Sequence, residues 1–236
     1  MTNINLDGVS LIIGGSSSLG EITCNEFTKN GCHVVTTYTK KIIPKQPLIE
    51  TYHLDLSLSE SIRSFVLKIR NHKMVIKNVI LLSSILPGKS LEDYNQEELN
   101  QVIKINFLGQ VELIKLIIKL MDNKTNILMM SSISGRRGSF DPVYAASKGA
   151  IITFVKSMVK QIPQGARINA IAPSLIENSK MFFDMKKERR NQHVLDSPSG
   201  ELINLNDLAK ILFDLCQPHW RHINGTCIDI NGGVYV

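Results

Sequence analysis

The chain has 236 residues, of which 43% are apolar and 20% charged, and its formal net charge is +6. This composition excludes a disordered or fibrous protein and is typical of one large domain that buries its own core. The basic excess would suit an acidic partner, but the sequence lacks the basic runs with interleaved aromatic residues that are typical of nucleic-acid-binding proteins. We therefore expect no nucleic-acid partner.

The sequence also predicts no export signal, no membrane segment and no metal site. Its first ten residues lack a basic segment followed by an apolar stretch, which predicts no signal peptide. The stretch from Leu99 to Met121 is apolar but broken by lysines, which indicates an amphipathic helix rather than a membrane span. The four cysteines form no CxxC pair and no cluster with histidine, so we expect no zinc site, buried thiols and a cytoplasmic protein.

Short apolar runs alternate with helical patterns along the whole chain. The predicted strands are Val9–Ile13, His33–Tyr38, Thr51–Leu56, Val79–Ser83, Asn126–Met130, Ile168–Ala172 and Cys227–Ile230. The predicted helices are Ile22–Asn30, Glu60–Asn71 (with Ser57 as its expected N-cap), 97–121, Tyr144–Gln161 and Leu205–Cys216.

Strands that are apolar throughout are buried on both faces, and strands separated by helices form a parallel sheet. The sequence therefore predicts one α/β domain over residues 1–236, with a doubly wound, Rossmann-like parallel sheet between two helical layers. In such a fold the ligand binds beyond the carboxyl ends of the strands, so the segments that follow the strands are the candidate site.

The segment Gly14–Gly20 joins the first predicted strand to the first predicted helix. Glycine allows a tight turn, and a helix N-terminus offers backbone N–H groups and a positive dipole end to a diphosphate. The serines add hydroxyl donors. We predict a diphosphate site, with an ordinary turn as the alternative, formed by Gly14, Ser16, Ser17, Ser18 and Leu19.

Tyr144 and Lys148 are four residues apart on a predicted helix and should therefore share one face. A neighbouring ammonium favours the phenolate, so we expect the pKa of Tyr144 to lie below its usual value of about 10. Such a tyrosine can donate a proton to a ketone oxygen or accept one from an alcohol. The alternative is an exposed surface pair.

The context of this pair resembles the short-chain dehydrogenase/reductase family. The segment LMMSSISGRRGSFDPVYAASK has the family's order of strand, SSxxG, loop and YxxxK, and Gly14 and Gly20 match its TGxxxGxG loop. Asn169–Ser174 resembles the family's NxxxPG segment, and Asn231–Gly233 resembles its C-terminal DGG. The resemblance covers essentially the whole chain and is nearest to the β-ketoacyl carrier-protein reductases.

The sequence departs from the family pattern mainly in the segments that bind the cofactor in the family. Ile13 replaces the threonine and Ser18 the middle glycine of the TGxxxGxG loop. Leu82–Ile85 stands in place of the family's NNAG, and Ser174 replaces the glycine of PG. The chain therefore resembles a divergent member of the family.

The resemblance implies a role for each of four catalytic residues. Tyr144 would be the acid/base, and Lys148 would hold the nicotinamide ribose and tune Tyr144. Ser132 would bind the substrate carbonyl, with Ser131 as the alternative, because the interval to Tyr144 is one residue short. Asn106 would position a water in a proton relay, the alternative being a polar residue on the outer helix face.

The resemblance also implies the cofactor contacts. Asp55 would accept a hydrogen bond from the adenine amino group, and the backbone of Ile176 would meet the carboxamide. The full predicted set is Gly14, Ser16, Ser17, Ser18, Leu19, Tyr38, Thr39, Lys40, Asp55, Leu56, Ser83, Ser84, Tyr144, Lys148, Pro173 and Ile176.

The end of the second strand indicates which dinucleotide binds. NAD enzymes place an acidic residue there for the ribose 2′-hydroxyl, whereas a 2′-phosphate needs cations. The sequence from Thr36 to Lys41 reads TTYTKK and contains no acid, so it favours NADP(H) over NAD(H). The alternative is that Lys40 and Lys41 belong to a solvated loop.

The segment after Pro173 covers the substrate in the family. Here it combines an apolar part with a basic part, and two further arginines lie in the loop after Ser132; these residues are Met181, Phe182, Phe183, Met185, Lys186, Lys187, Arg189, Arg190, Arg136 and Arg137. An apolar lid suits a hydrophobic ketone, and a basic rim suits an acidic carrier protein or a phosphorylated or CoA substrate. The alternative for the basic part is an exposed helix face.

These observations predict an NADPH-dependent oxidoreductase that reduces a ketone to a secondary alcohol. The expected substrate is a 3-oxoacyl thioester on an acyl carrier protein, in fatty acid or polyketide biosynthesis. Two alternatives stay open: a dehydrogenase/reductase of another small keto acid, sugar or polyketide in specialised metabolism, and a non-catalytic nucleotide-binding protein. The family resemblance implies a homodimer or homotetramer without a membrane partner.

Overall fold

The computed structural model describes residues 8–44 and 46–236, so most of the segment for which we predict no signal peptide lies outside it. Within these ranges the strands are β1 (Val9–Ile13), β2 (His33–Tyr38), β3 (Ile49–His53), β4 (Ile76–Leu81), β5 (Met121–Met130), β6 (Arg167–Pro173) and β7 (Cys227–Ile230). The α-helices are α1 (Ser18–Lys29), α2 (Ser59–Asn71), α3 (Gln96–Ile103), α4 (Gly109–Ile117), α5 (Ser134–Arg137), α6 (Pro142–Met158), α7 (Lys180–Asp184), α8 (Lys187–Leu195) and α9 (Leu205–Leu215).

All seven strands belong to one sheet in the order β3-β2-β1-β4-β5-β6-β7, and every neighbouring pair is parallel. The chain moves outward from β1 to β3 and then returns to place β4 on the other side of β1. The order therefore reverses between β1 and β4, where open parallel sheets bind their ligands. The predicted doubly wound α/β fold is confirmed.

The sheet is buried on both faces because alternate side chains of its strands enter two different apolar layers. Leu11 packs with residues of α2, α4 and α6, whereas the adjacent Ile12 packs with residues of α1 and α9. Both side chains are fully buried, which stabilises the fold by about 1.5–3 kcal/mol each. This double burial explains the unbroken apolar runs in the sequence.

The predicted helix 97–121 is wrong in its middle and at its end. A π-helical segment, Lys104–Leu108, separates α3 from α4, and a 3₁₀ turn, Ile118–Leu120, follows α4. β5 begins at Met121 rather than at Asn126, because the Thr125 hydroxyl donates a hydrogen bond to the carbonyl of Ile76 in β4 and extends the pairing.

Other predicted boundaries shift by a few residues because of capping. α1 begins at Ser18 instead of Ile22, since Ser17 caps it. Ser57 is not the cap of α2: Leu58 occupies that position, and Ser57 hydrogen-bonds Asp55 instead. The sequence did not predict the short helices α5 and α7, whereas α8 contains most of the basic residues for which an exposed helix face was the alternative, and the last strand matches its prediction. Among the described residues, no helix combines the length and apolarity that crossing a bilayer requires.

Candidate active site

Most of the residues predicted to form the site lie in the last position of a strand or shortly after it, and therefore along the carboxyl edge of the sheet. They belong to the ends of β1 (Gly14–Leu19), β2 (Tyr38–Lys40), β3 (Asp55, Leu56), β4 (Ser83, Ser84), β5 (Ser132) and β6 (Pro173, Ile176). Helix α6 and the π-helical segment supply Tyr144, Lys148 and Asn106.

The turn after β1 requires its glycines. Gly14 has a φ of +96°, and a Cβ added there would lie 2.7 Å from the hydroxyl of Ser83. A Cβ on Gly15 would lie 1.8 Å from the hydroxyl of Thr36. The backbone N–H of Gly14 donates to the Thr37 hydroxyl at 3.0 Å, which fixes the turn against β2.

This turn fits the diphosphate of a dinucleotide. The Ser17 hydroxyl accepts a hydrogen bond from the N–H of Gly20, whereas the N–H groups of Ser18 and Leu19 lie in the first helical turn, where the helix itself supplies no partner. The dipole of the 12-residue α1 adds positive potential at the same point. Ser18 is exposed, so the side chain that replaces the family's middle glycine faces no neighbour that would oppose it.

The ends of β2 and β3 hold the residues predicted to choose between dinucleotides. Tyr38 lies against His53 with ring centroids 5.9 Å apart, and the Thr39 hydroxyl donates to the carbonyl of Leu54. Lys40 is exposed, as is Lys41, whose ammonium lies 3.9 Å from Glu21. Among the residues that the structure describes, the ionic contact at this position involves Lys41 rather than Lys40.

The segment Ser83–Ile85, which replaces the family's NNAG, is held by two side chains from the helical layer. The Asn106 amide accepts from the N–H of Ile85 at 2.8 Å and donates to its carbonyl at 2.9 Å and to Ser147 at 3.1 Å. Gln110 donates to the carbonyl of Ser83, and among the described residues its buried Oε1 has no partner. Asn106 is fully buried, so its placement on the outer helix face is excluded.

Ser132 and Tyr144 form the centre of the site. The Ser132 hydroxyl lies close enough to the Tyr144 phenol to lower its pKa, and it accepts a hydrogen bond from the N–H of Ser134 at 3.1 Å. Ser131 lies behind them, where its hydroxyl donates to the carbonyl of Lys148. The geometry therefore favours Ser132 over Ser131 as the serine that faces Tyr144.

Lys148 is fully buried beside the tyrosine ring. Its ammonium nitrogen lies 5.7 Å from the ring centroid of Tyr144 and donates to the carbonyl of Met130 at 2.7 Å. The interpretation of Tyr144 and Lys148 as an exposed surface pair is therefore excluded.

The expected lowering of the Tyr144 pKa is wrong in this structure. Burial raises the pKa of Tyr144 to about 12, the hydrogen bond with Ser132 lowers it, and the charge of Asp141 raises it. Burial also lowers the pKa of Lys148 to about 7. At neutral pH the tyrosine therefore carries its proton, which is the form that donates to a carbonyl oxygen.

Helices α7 and α8 belong to the segment after Pro173 that is predicted to cover the substrate, and we call these two helices the lid. The contacts of its arginines, and of Arg136 and Arg137, differ from those expected of a basic rim. The Arg136 guanidinium forms a two-point ion pair with Asp229 of β7, so the prediction that it offers a free charge to substrate is wrong. Arg189 and Arg190 lie over the rings of Phe140 and Phe182. Lys186 and Lys187 are exposed, and Arg137 donates a long hydrogen bond to the carbonyl of Val234.

A cavity of about 540 Å³ lies beneath the lid, against the loop that precedes α9. Its walls include Phe182, Arg190, Glu177 and Leu202, but none of the four predicted catalytic residues. The cavity is therefore separate from the group around Tyr144.

Sequence reasoning missed two residues that organise the site, Asp141 and Gln110. Asp141 is buried and caps α6 through the N–H of Tyr144. The dipeptide Asp141-Pro142 directly before the tyrosine was an available signal, since aspartate favours the N-cap and proline the first helical position. Nothing local in the sequence marks Gln110, because its partner is 27 residues away.

Comparisons with known proteins find similar sequences along nearly the whole chain. A family model described as enoyl-(acyl carrier protein) reductase matches residues 14–235. A curated 3-oxoacyl-[acyl-carrier-protein] reductase of Vibrio cholerae is 25% identical over 99% of this chain and 100% of its own length. The glucose and ribitol dehydrogenase homolog 2 of Arabidopsis thaliana is also 25% identical, over 97% of this chain and 86% of its own.

Solved structures are similar along nearly the whole chain. A short-chain dehydrogenase/reductase of the glucose/ribitol dehydrogenase type from Brucella melitensis superposes with a TM-score of 0.91 at 20% identity, covering 98% of each chain. A short-chain dehydrogenase from Bacillus anthracis gives a TM-score of 0.84 at 25% identity, covering 97% of each chain.

Proposed function

The chain belongs to the short-chain dehydrogenase/reductase family of NAD(P)-dependent oxidoreductases, and we propose that it is an NADPH-dependent reductase of a 3-oxoacyl thioester carried by an acyl carrier protein. The observation that carries the proposal is the burial of Ser132 and a protonated Tyr144 side by side, with the fully buried Lys148 beside the ring. This arrangement offers two polar contacts to one carbonyl oxygen.

When bound, the nicotinamide would supply the hydride that the carbonyl carbon accepts. Ser132 holds the carbonyl oxygen, and Tyr144 transfers its phenolic proton to that oxygen as the C–H bond forms, which gives the alcohol and a phenolate. Lys148 faces the ring, so an ammonium at this position stabilises the phenolate until a proton returns. Burial keeps water from competing for the carbonyl contacts.

We assign the water-holding role of Asn106 to its backbone rather than to its side chain. Its side-chain amide is occupied by Ile85 and Ser147. The π-helical segment shifts backbone hydrogen bonding, so that the N–H of Gly109 donates to the carbonyl of Lys104, five residues earlier. Such segments change which carbonyls are free and are common at functional sites. We therefore assign the relay water to the Asn106 carbonyl.

The cofactor is proposed to be NADPH held by the residues named above. The turn Gly14–Leu19 would hold the diphosphate, and the exposed Lys40 would meet the 2′-phosphate, since Lys41 lies close to Glu21. Oδ1 of Asp55 already accepts both the N–H and the hydroxyl of Ser57, so the proposed adenine contact would use Oδ2. Pro173 and Ile176 would lie beside the nicotinamide.

The carrier-bound substrate is supported by the activity for which the Vibrio cholerae relative is named and by the exposed Lys186 and Lys187 on the lid. The Arabidopsis relative favours a second candidate, oxidation or reduction of a small polyol or sugar. The description of the family model names enoyl reduction, a third outcome to be measured. A homo-oligomer and a cytoplasmic location stay predictions.

The test is oxidation of NADPH with a matched panel of substrates: an acetoacetyl thioester on a carrier protein, the same acyl group on a small thiol, a crotonyl thioester and a small keto acid. Ribitol with NADP⁺ tests the reverse reaction. We expect the carrier-bound ketone to give the highest kcat/KM. Preference for the crotonyl thioester or for ribitol would replace the proposed substrate, and binding of NADPH without turnover of any substrate would favour the non-catalytic alternative.

A further inference from the structure

Asp141 connects the catalytic helix to the segment that follows β4. Its Oδ1 accepts the N–H of Tyr144 at 2.8 Å, and its Oδ2 accepts the hydroxyl of Tyr94 at 2.7 Å and the N–H of Gly88 at 3.0 Å. Oδ2 also receives a longer contact from the N–H of Lys89, at 3.4 Å. The residue is 3% exposed, so this carboxylate exchanges its hydration for donors of the protein.

These contacts exceed what capping a helix requires. An N-cap side chain needs one oxygen for the N–H three residues later, and a serine supplies that contact equally well. Here the second oxygen reaches partners 47 and 53 residues earlier in the chain. Hydrogen bonds to a charged acceptor are about twice as strong as neutral ones, so the second oxygen contributes a strong tether.

Two side chains of the helical layer also hold the tethered segment, residues 85–94. Asn106 holds both backbone groups of Ile85, and Glu98 pairs with the ammonium of Lys89 and closes a capping box with Asn95. The segment follows β4 on the same sheet edge as the catalytic group. Its position relative to Tyr144 therefore depends on Asp141.

We propose that Asp141 is a positioning residue, which fixes segment 85–94 as one wall of the substrate site against the N-terminus of the helix that carries Tyr144. This inference rests on the proposed function, since it assigns the wall and the acid to one reaction. The charge of Asp141 also favours the protonated phenol of Tyr144. The ionisable groups that face this phenol are Asp141 from the cap and Lys148 from α6.

The experiment separates the tether from the cap with two variants. Asp141→Ser keeps an N-cap hydroxyl and removes the second oxygen, whereas Tyr94→Phe keeps the carboxylate and removes one donor. We expect kcat/KM for the ketone to fall about tenfold in Asp141→Ser, the value of one hydrogen bond to a charged group, and less in Tyr94→Phe. The affinity for NADPH should stay within about twofold, because the diphosphate turn is untouched.

A double-mutant cycle shows whether the two residues act through one contact. In the Asp141→Ser background, Tyr94→Phe should cost nothing further in kcat/KM. Tyr52→Phe is the matched control, since this tyrosine hydrogen-bonds Glu50 on the edge strand β3 and should add its own effect independently. Additive losses for Asp141 and Tyr94, or unchanged kcat/KM in Asp141→Ser, would overturn the proposal.

Hydrogen exchange tests the tether without any assay of activity. Peptides covering 86–94 should exchange faster in Asp141→Ser than in the wild type, while peptides of β4 and β5 keep their protection. Unchanged exchange over 86–94 would reject the tether even in an active enzyme. A wild type that reduces no ketone, but shows the expected exchange difference, would reject the proposed function and leave the tether standing.

Discussion

The group around Tyr144 and the lid differ in how deeply their side chains are buried. Lys148, Asn106 and Ser147 are fully buried, and each has a hydrogen-bond partner. In the lid, Phe183 is 64% exposed and Leu195 is 78% exposed. A buried, hydrogen-bonded group resists substitution because each lost partner leaves an unsatisfied atom, whereas an exposed face changes at little cost. We therefore expect the group around Tyr144 to tolerate few substitutions and the lid to tolerate many.

The largest effect should come from the buried side of this comparison. Tyr144→Phe removes the proton donor and should reduce turnover by about 10²–10⁴-fold, while the melting temperature changes little. The matched control is again Tyr52→Phe, the same chemical change on β3, which should leave turnover near the wild-type value. Near-wild-type turnover in Tyr144→Phe would contradict the assigned mechanism.

The lid should show a smaller effect that depends on the substrate. Lys186→Glu combined with Lys187→Glu should reduce activity on the carrier-bound ketone up to about tenfold at low salt, because steering by exposed charges is lost. Activity on a small neutral thioester should barely change. High ionic strength should mimic the variant in the wild type, because exposed charges are screened over about 10 Å at 0.1 M salt.

The control for this charge reversal is Lys124→Glu combined with Lys160→Glu, because both lysines are exposed near the opposite edge of the sheet. It changes net charge equally without altering the lid. The same loss of activity in both double variants would show that net charge, rather than the lid surface, attracts the carrier.

The exposed lysines after β2 should have a weaker effect, which concerns the preference between the two dinucleotides. Lys40→Ala should reduce the preference for NADPH over NADH by about two- to fivefold, the range expected for one exposed ionic contact. Lys41→Ala should reduce it less, because this ammonium lies near Glu21. Titration of both dinucleotides measures the ratio, and tighter binding of NADH by the wild type would overturn the cofactor proposal.

Burial of Lys148 should also appear in the stability. Its pKa is about 7 in the folded protein and near 10.5 when unfolded, so the unfolded chain binds the extra proton between these values. The free energy of unfolding therefore increases as the pH rises from 7. The melting temperature should increase between pH 7 and about 8.5, a range that ends where thiols of an unfolded chain begin to ionise. Lys148→Met should abolish that increase, whereas the exposed Lys156→Met on the same helix should keep it. An increase that survives in Lys148→Met would contradict this assignment.

The sequence predicted the parts of the molecule that depend on local pattern. The apolar runs of β1 and β2 coincide with their strands because these strands are buried on both faces. It could not predict the break in 97–121, because the π-helical segment accompanies contacts between Asn106 and Ile85, which are 21 residues apart. Two other contacts could not be predicted because their partners are also far apart in the sequence. They are the hydrogen bond of Asp141 with Tyr94, 47 residues away, and the pairing of Arg136 with Asp229, 93 residues away.

For the candidate site, the order of motifs identified which residues belong together but not their electrostatics. The spacing of Tyr144 and Lys148 correctly suggests neighbours, yet it gave the wrong direction for the Tyr144 pKa. Desolvation raises the pKa of Tyr144 and lowers that of Lys148, and burial is a property of the assembled layers rather than of the helix.

The central claim, that Tyr144 and Ser132 serve hydride transfer to a ketone, is tested most directly by following the hydride itself. NADPH carrying deuterium at the transferable position of C4 is incubated with the acetoacetyl thioester, and the product alcohol is analysed by mass spectrometry. We expect one deuterium on the carbinol carbon with the wild type, and a rate reduced by about 10²–10⁴-fold with Tyr144→Phe. Deuterium absent from the product, or incorporated at the same rate by both proteins, would contradict the account.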